Sequence, residues 1–265
     1  LRTEDWLAQG NLGEAIAQAR QDLVNEPGNL GQRFLLFELL ILTEEFDQAE
    51  EELHYAVSAE PSFAENAEFY LGILRAERLR YNFINKAEGV PQALLPPPAY
   101  GEKFIQAVCC LAEANITEAE LALGAGWEQV PQLSGNLDDQ PFTEIRDADD
   151  LLGPFLEAIV PNGYYWVPFE QIEQLRFQPK RGYPDTIWLP AYIEMKGGVK
   201  GNLWIPSLYS GTGSKDDALR LGNLTTWEYP SPHIGRVYGQ RDLKTDKVLK
   251  GIRQVSTISI FVESA

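Results

Sequence analysis

Apolar residues in the first half of the chain recur three and four positions apart, whereas in the second half they fall in short extended runs. The stretch from Arg33 to Leu42 is strongly apolar, and Ala64 to Tyr81 places Phe69, Ile73, Ala76 and Arg80 at helical spacing. Tyr100 to Ala114 reads as a further helix, and Leu95-Pro96-Pro97-Pro98 before it as a stiff extended link. Beyond residue 150 the pattern changes. Phe155 to Val160 and Tyr164 to Pro168 flank Asn162-Gly163, and Thr186 to Lys196 and Val199 to Pro206 flank Gly197-Gly198. Such pairs between extended runs predict hairpins, because tight turns need residues that accept positive φ. Leu224 to Tyr229 and Ile252 to Val262 are further strand candidates. Ser214 to Gly222 is expected as one short helix, with Ser214 as its cap and Asp216 and Asp217 in its first turn.

The helical half carries a repeat. Asn11-Leu12-Gly13-Glu14-Ala15 recurs as Glu45-Phe46-Asp47-Gln48-Ala49 and again as Asn115-Ile116-Thr117-Glu118-Ala119. Pro27, Pro61 and Pro131 each follow 12 residues after the alanine, and the first two copies lie 34 residues apart. Alanine lets paired helices approach closely, Leu23, Val57 and Trp127 would fill the seam, and proline stops each second helix. The period and the Ala–Pro spacing resemble the tetratricopeptide repeat, with a plain helical bundle as the alternative. About six helices are expected, with one repeat position degenerate.

Charge sharpens the boundary. Residues 1–150 hold 9 Lys+Arg against 28 Asp+Glu, and residues 151–265 hold 13 against 11. The expected organisation is α+β in two domains: an acidic, all-α tetratricopeptide-like superhelix over 1–132, and a small α+β domain with a curled antiparallel sheet over 133–265. A net charge of −17 argues against nucleic acid or an anionic membrane as partner, since both recruit Lys and Arg. No apolar run is long enough for a transmembrane helix. The only cysteines, Cys109 and Cys110, are adjacent and offer no disulfide framework, so a reducing cytoplasm is the simpler expectation. The sequence begins at Leu1 rather than Met, so a leader removed upstream stays open.

Candidate chemistry is sparse. His54 and His233 are the only histidines and are far apart, which gives a histidine zinc site almost no support. Cys109 and Cys110 fall on an apolar helix, where free cysteine is usually a core residue. Asp147-Ala148-Asp149-Asp150 has oxygen ligands for a divalent cation but lacks the spacing of a calcium loop, so solvated charges are the favoured reading. Gly211-Thr212-Gly213-Ser214-Lys215 fails the order of a phosphate-binding loop. Tyr164-Tyr165-Trp166 alternates across a sheet, with one side in the core. No metal, cofactor or catalytic constellation is expected.

The order of motifs resembles the ImpE family, the TagJ or SciE-type virulence proteins of bacterial type VI secretion. Gly10-Asn11-Leu12, Glu14-Ala15 and Arg33-Phe34-Leu35-Leu36-Phe37-Glu38-Leu39-Leu40 carry the resemblance in the first half. In the second it rests on Asp147-Ala148-Asp149, Leu152-Gly153-Pro154, Leu156-Glu157, Asn162-Gly163 and Tyr165-Trp166-Val167-Pro168-Phe169. It continues through Asp185, Trp188, Pro190-Ala191, Ala218-Leu219-Arg220-Leu221 and Gly239-Gln240-Arg241. Tyr209 to Lys215 and Lys180-Arg181-Gly182-Tyr183 depart from the family's pattern. The resemblance implies a cytoplasmic adaptor without enzymatic activity. It also implies binding of the N-terminal helix of the small sheath subunit, with a link to the ATPase that recycles contracted sheath.

The competing expectation is a small-molecule or metal-dependent hydrolase in the second domain, using Asp149, Glu157 or Arg241. Trp188 is expected to be buried and structural. Arg220 and Arg241 are expected to pair with Asp149 or Glu157, and Gln240 lies in the same family motif. Phe34, Glu38 and Ile41 share a helical stripe, with Glu68 and Arg75 on the next helix. Together they would offer an apolar floor with acidic edges to a basic amphipathic helix; packing of Phe34 and Ile41 into the interrepeat core is the alternative.

Overall fold

The computed structural model describes residues 1–261. Seven helices come first: α1 (Thr3–Ala8), α2 (Leu12–Asn25), α3 (Leu30–Leu42), α4 (Phe46–Ala59), α5 (Ala64–Lys86), α6 (Tyr100–Ala112) and α7 (Ile116–Trp127). The short α1 is the one the periodicity did not resolve. In α2, α4 and α7 the repeated alanines Ala15, Ala49 and Ala119 have no exposed surface, so the neighbouring helix sits directly on them. Asn29 caps α3 by accepting the Gln32 amide at 3.1 Å. Glu44 and Ala114 take positive φ (58° and 59°) where α3 turns into α4 and α6 into α7. The helices pair as α1 with α2, α3 with α4, and α6 with α7, while the 23-residue α5 packs against strands as well as helices.

The strands are β1 (Gly135–Leu137), β2 (Gln140–Phe142), β3 (Ile145–Asp147), β4 (Phe155–Val160), β5 (Gly163–Pro168), β6 (Ile172–Phe177), β7 (Trp188–Met195), β8 (Lys200–Pro206), β9 (Thr225–Ser231), β10 (Ile234–Gly239), β11 (Asp242–Thr245), β12 (Leu249–Gly251) and β13 (Thr257–Ile260). Two one-turn helices, α8 (Pro184–Ile187) and α9 (Asp217–Arg220), interrupt them. Eight strands form an antiparallel sheet in the order β2-β1-β13-β6-β7-β8-β4-β5. Its edge strands β2 and β5 do not pair with each other, so the sheet is open and not strongly curled. The ribbon β10-β9 and the small sheet β12-β11-β3 complete the half.

Several boundaries differ from expectation for local reasons. Val160 pairs with Gly163, so the first hairpin turns on Pro161-Asn162, and only Asn162 takes positive φ (70°). Proline pre-sets the first turn position and asparagine tolerates the second. Gly197 and Gly198 both take positive φ (96° and 88°) between β7 and β8. Asp216, not Ser214, caps α9, through the Leu219 amide at 3.1 Å. Residues 252–254 form a single 3-10 turn before β13, and Val262, the end expected for that strand, lies outside the described residues.

The sheet alternates its side chains between two cores. Leu156 and Ala158 of β4 and Leu189, Ala191 and Ile193 of β7 face one core with Leu175, Ile205 and Ile258. Phe155, Ile159 and Trp188 face the helices. One close contact lies where α5 crosses the β4–β5 turn. The Gly72 carbonyl accepts the Asn162 amide at 2.8 Å, and a Cβ on Gly72 would lie 2.9 Å from Cβ of Pro161. Glycine is what allows the backbones to meet there.

Candidate functional site

The alternation of β4 sends one charged side chain toward the helices. Glu157 sits between Phe155 and Ile159 on that face and is completely buried. A carboxylate there is stable only if it is paired. Arg80 of α5 donates from Nε to Glu157 Oε1 at 3.0 Å and from Nη1 to Glu77 Oε2 at 3.0 Å. Glu77 and Arg80 lie one turn apart on α5, which puts both on the sheet side. Arg241, just beyond β10, donates from Nη2 to Glu157 Oε2 and from Nη1 to Asp147 Oδ2, the latter at 2.5 Å. Its Nε reaches the Pro206 carbonyl at 3.0 Å.

Hydroxyl and indole groups complete the network. The Tyr164 hydroxyl donates to Glu157 and accepts the Trp166 indole N–H at 2.6 Å. The Trp188 indole N–H donates to Glu77 Oε1 at 2.8 Å. The Tyr209 hydroxyl donates to Asp147 Oδ1 at 2.8 Å, and its ring lies 4.9 Å from the Arg241 guanidinium. Asp149 accepts Arg236 Nε at 2.8 Å and the Leu151 and Val237 amides at 2.9 Å each. Three arginines and four carboxylates are thereby buried together, joining α5 to β3, β4, β10 and their connections.

The electrostatics follow from burial and pairing. Burial works to raise Glu157, but the Arg80 and Arg241 guanidiniums overcome it and hold the carboxyl at about 2. For Asp147 burial wins over Arg241, and the carboxyl is pushed up to about 6. Burial also raises Glu44 to about 7, although the Gly211 amide donates to it at 2.7 Å. Glu38 is raised furthest, to about 8, by burial alone. Beside Arg80 and Glu77 lies a cavity of about 30 Å³, also lined by Ile41, Glu44, Tyr209 and Thr212. That holds a water molecule or two and no organic substrate.

Each residue singled out in the sequence has a definite place. Trp188 is 2% exposed and bridges the network to α3, with its ring 6.2 Å from that of Phe37. Arg241 pairs with Glu157, and also with Asp147. Arg220 pairs with neither Asp149 nor Glu157. It bonds the Gly213 carbonyl at 2.9 Å and Asp217 at 3.2 Å, holding the loop before α9. The partner of Asp149 is Arg236, which the sequence reading passed over. Gln240 packs its amide against Gly251, where a Cβ would lie 2.5 Å away.

The stripe on α3 is not an open groove. Glu38 and Ile41 are 4% and 6% exposed, and Phe34 is half-buried against Phe37, Phe63 and Tyr70. The physical reason is intramolecular cover: Tyr183, Ile187, Trp188 and Leu208 of the second half pack into the same cluster. Glu68 and Arg75 do lie outside, paired with each other at 2.9 Å, and Arg75 also reaches Asn162 at 3.0 Å. The structure therefore separates the five residues into a covered set and an exposed pair. Among the described residues no group of His, Cys, Asp and Glu is placed to hold a metal ion, and no helix is long and apolar enough to cross a membrane.

Known proteins resemble this chain along nearly its whole length. A family model described as ImpE protein matches residues 139–259, the span that holds Asp147, Asp149, Glu157, Arg236 and Arg241. The type VI secretion system accessory component TagJ of Pseudomonas aeruginosa is 28% identical over 244 residues, covering 92% of this chain and 85% of that one. The crystal structure of protein VPA1032 from Vibrio parahaemolyticus superposes with a TM-score of 0.92 over 99% of this chain and 98% of that one. At 18% identity the likeness is one of fold.

Proposed function

We propose that the chain is a member of the ImpE family, whose model matches residues 139–259, and that it is a non-enzymatic adaptor of type VI secretion. The observation that carries the proposal is the similarity to an accessory component of that system over 92% of the chain. The adaptor would work in the cytoplasm, with residues 1–132 as its recruiting part and residues 133–265 as the part that braces it. Its partner would be the N-terminal helix of the small sheath subunit, and a second contact would link that helix to the ATPase that recycles contracted sheath.

The charge distribution supports a basic amphipathic partner, because residues 1–150 carry a net −19. With the α3 stripe covered, docking falls to outward-facing positions such as Glu51 and Tyr55 on α4 and Glu68 on α5, all exposed. The burial of Asp149 against Arg236 and of Glu157 against Arg241 supports a bracing role for these residues over a hydrolytic one. A hydrolase would need a cleft with convergent polar groups.

Titration of the sheath-subunit helix, as a synthetic peptide, into the full chain tests the proposal. Binding should weaken as salt is raised and again in the variant Glu51→Lys with Glu68→Lys, at unchanged melting temperature. Binding indifferent to both salt and charge reversal would remove the acidic face, and no binding at all would remove the partner. Capture of the sheath ATPase by the chain, with and without the peptide, tests the second contact.

A further inference from the structure

The pairing of the arginines leaves one corner of the molecule unbalanced. Of the 13 arginines, only Arg181 and Arg253 have no carboxylate within ion-pairing distance among the described residues. In a chain with 39 acidic residues against 22 basic ones, such arginines are the exception. Both are neighbours of Lys180, which has no carboxylate partner among the described residues and bonds the Arg253 carbonyl at 3.3 Å. The three cations sit where β6 ends, α8 begins and the 3-10 turn leads into β13.

That corner contains an open pocket of about 400 Å³, within the range of sites that hold small organic ligands. Half-buried Phe177 and exposed Pro179 give it apolar surface over the buried Leu189, Ile252 and Val255, and Gln178, Lys180, Arg253 and Ser256 supply polar groups. Arg253 is fixed in place. Its guanidinium bonds Ser207 Oγ at 3.1 and 3.2 Å and the Leu221 carbonyl at 2.8 Å. Gly222 (φ 68°) lies so close that a Cβ would be 2.5 Å from Nη1. Partial burial, and then the charge of Arg253, pull the Lys180 ammonium below its ordinary value, as expected where cations meet without a counter-charge.

We propose that this pocket binds a carboxylate carried on an apolar body, with Lys180 meeting the carboxylate at the rim, the adjacent Arg181 adding its positive charge, and the apolar side of the pocket taking the body. No residue of the acidic helices lines the pocket, which meets the buried network through backbone and Ser207 contacts such as the Ile252 amide on the Arg241 carbonyl at 2.8 Å, and its occupancy does not depend on the adaptor role. A peptide C-terminus and a small organic acid share this chemistry.

The test is calorimetric titration of the full chain with N-acetyl-Gly-Leu-Phe as free acid, the same peptide as C-terminal amide, phenylacetate, and inorganic phosphate. The free acid should bind at up to millimolar concentration, at least about tenfold more tightly than the amide. The variant Lys180→Ala with Arg181→Ala changes only exposed side chains and should lose about tenfold or more in affinity at unchanged melting temperature. Phenylacetate matching the peptide would identify a small organic acid as the ligand, and weaker phenylacetate binding a peptide terminus. The pocket has no such role if the free acid does not bind, if the amide or phosphate binds as well as the acid, or if the double variant binds as well as the parent chain.

Discussion

Replacing Arg241 by methionine tests the central feature of the molecule, because the substitution keeps bulk and removes charge. Glu157 would retain Arg80 at 3.0 Å and the Tyr164 hydroxyl. Asp147 would retain only neutral donors, the Tyr209 hydroxyl at 2.8 Å and the Asp149 amide at 2.9 Å. Removing one partner of a buried pair strands the other, which costs about 3–5 kcal/mol. Here most of that cost falls on Asp147, so it carries a pH signature. Burial already holds Asp147 at about 6 with Arg241 present; without the guanidinium it rises further. Above that value the folded variant must take up a proton that the unfolded chain does not need, at about 1.4 kcal/mol per pH unit. The deficit relative to the parent chain should therefore be largest near about pH 8 and shrink toward about pH 5, where Asp147 is protonated in both. Urea unfolding followed by tryptophan fluorescence at both pH values measures it. Adding Asp147→Asn should recover part of the loss at about pH 8. A deficit below about 1 kcal/mol, or one equal at the two pH values, would refute the assignment of the cost to a stranded Asp147.

Other consequences are simpler to state. Glu38→Gln should stabilise the fold by on the order of 3 kcal/mol near about pH 7 and by little near about pH 4, because a carboxyl raised to about 8 weakens the folded state progressively as pH rises from the unfolded value; parallel urea curves at the two pH values decide it. Trp188→Phe should cost about 1–3 kcal/mol by leaving Glu77 Oε1 without the indole N–H, and Trp188→Ala about 3–5 kcal/mol, both by the same unfolding assay. Gly72→Ala should lower stability by about 1–3 kcal/mol despite its gain in helix propensity, since the new Cβ would press on Pro161; a higher melting temperature would contradict the close approach.

How much of this was legible in the sequence depended on range. The Ala–Pro spacing located α2, α4 and α7 because burial of a small residue and a proline stop are local signals. The glycine pair marked the β7–β8 turn for the same reason. Three-residue strands such as β1, β3 and β12 are too short to show an alternation. Asp149 and Arg236 lie 87 residues apart and Arg80 and Glu157 lie 77 apart. No spacing rule connects them, and the choice of Arg220 over Arg236 shows how a motif can point to the right type of residue on the wrong loop.

The α3 stripe carries the more general lesson. Phe34, Glu38 and Ile41 have the spacing of a binding face, and a helical face in contact with a partner has the same pattern whether the partner is another chain or a distant part of its own. Here the cover comes from residues 183–208 of the same chain. The polar member of the stripe distinguishes the two cases physically. A glutamate at the edge of an exchangeable groove would stay ionised in water, whereas Glu38, without an ion-pair partner among the described residues, is held near about 8 by the packing over it. That strain is concentrated where the helical half meets the sheet half, next to a network whose every carboxylate has a cation or a hydrogen-bond donor. The seam thus combines an ionic lock with an acid, Glu38, that has no ion-pair partner among the described residues. The energetic difference between them is large enough for neutralising Glu38 to tighten the seam while neutralising Arg241 loosens it, two opposite outcomes from removing one charge each.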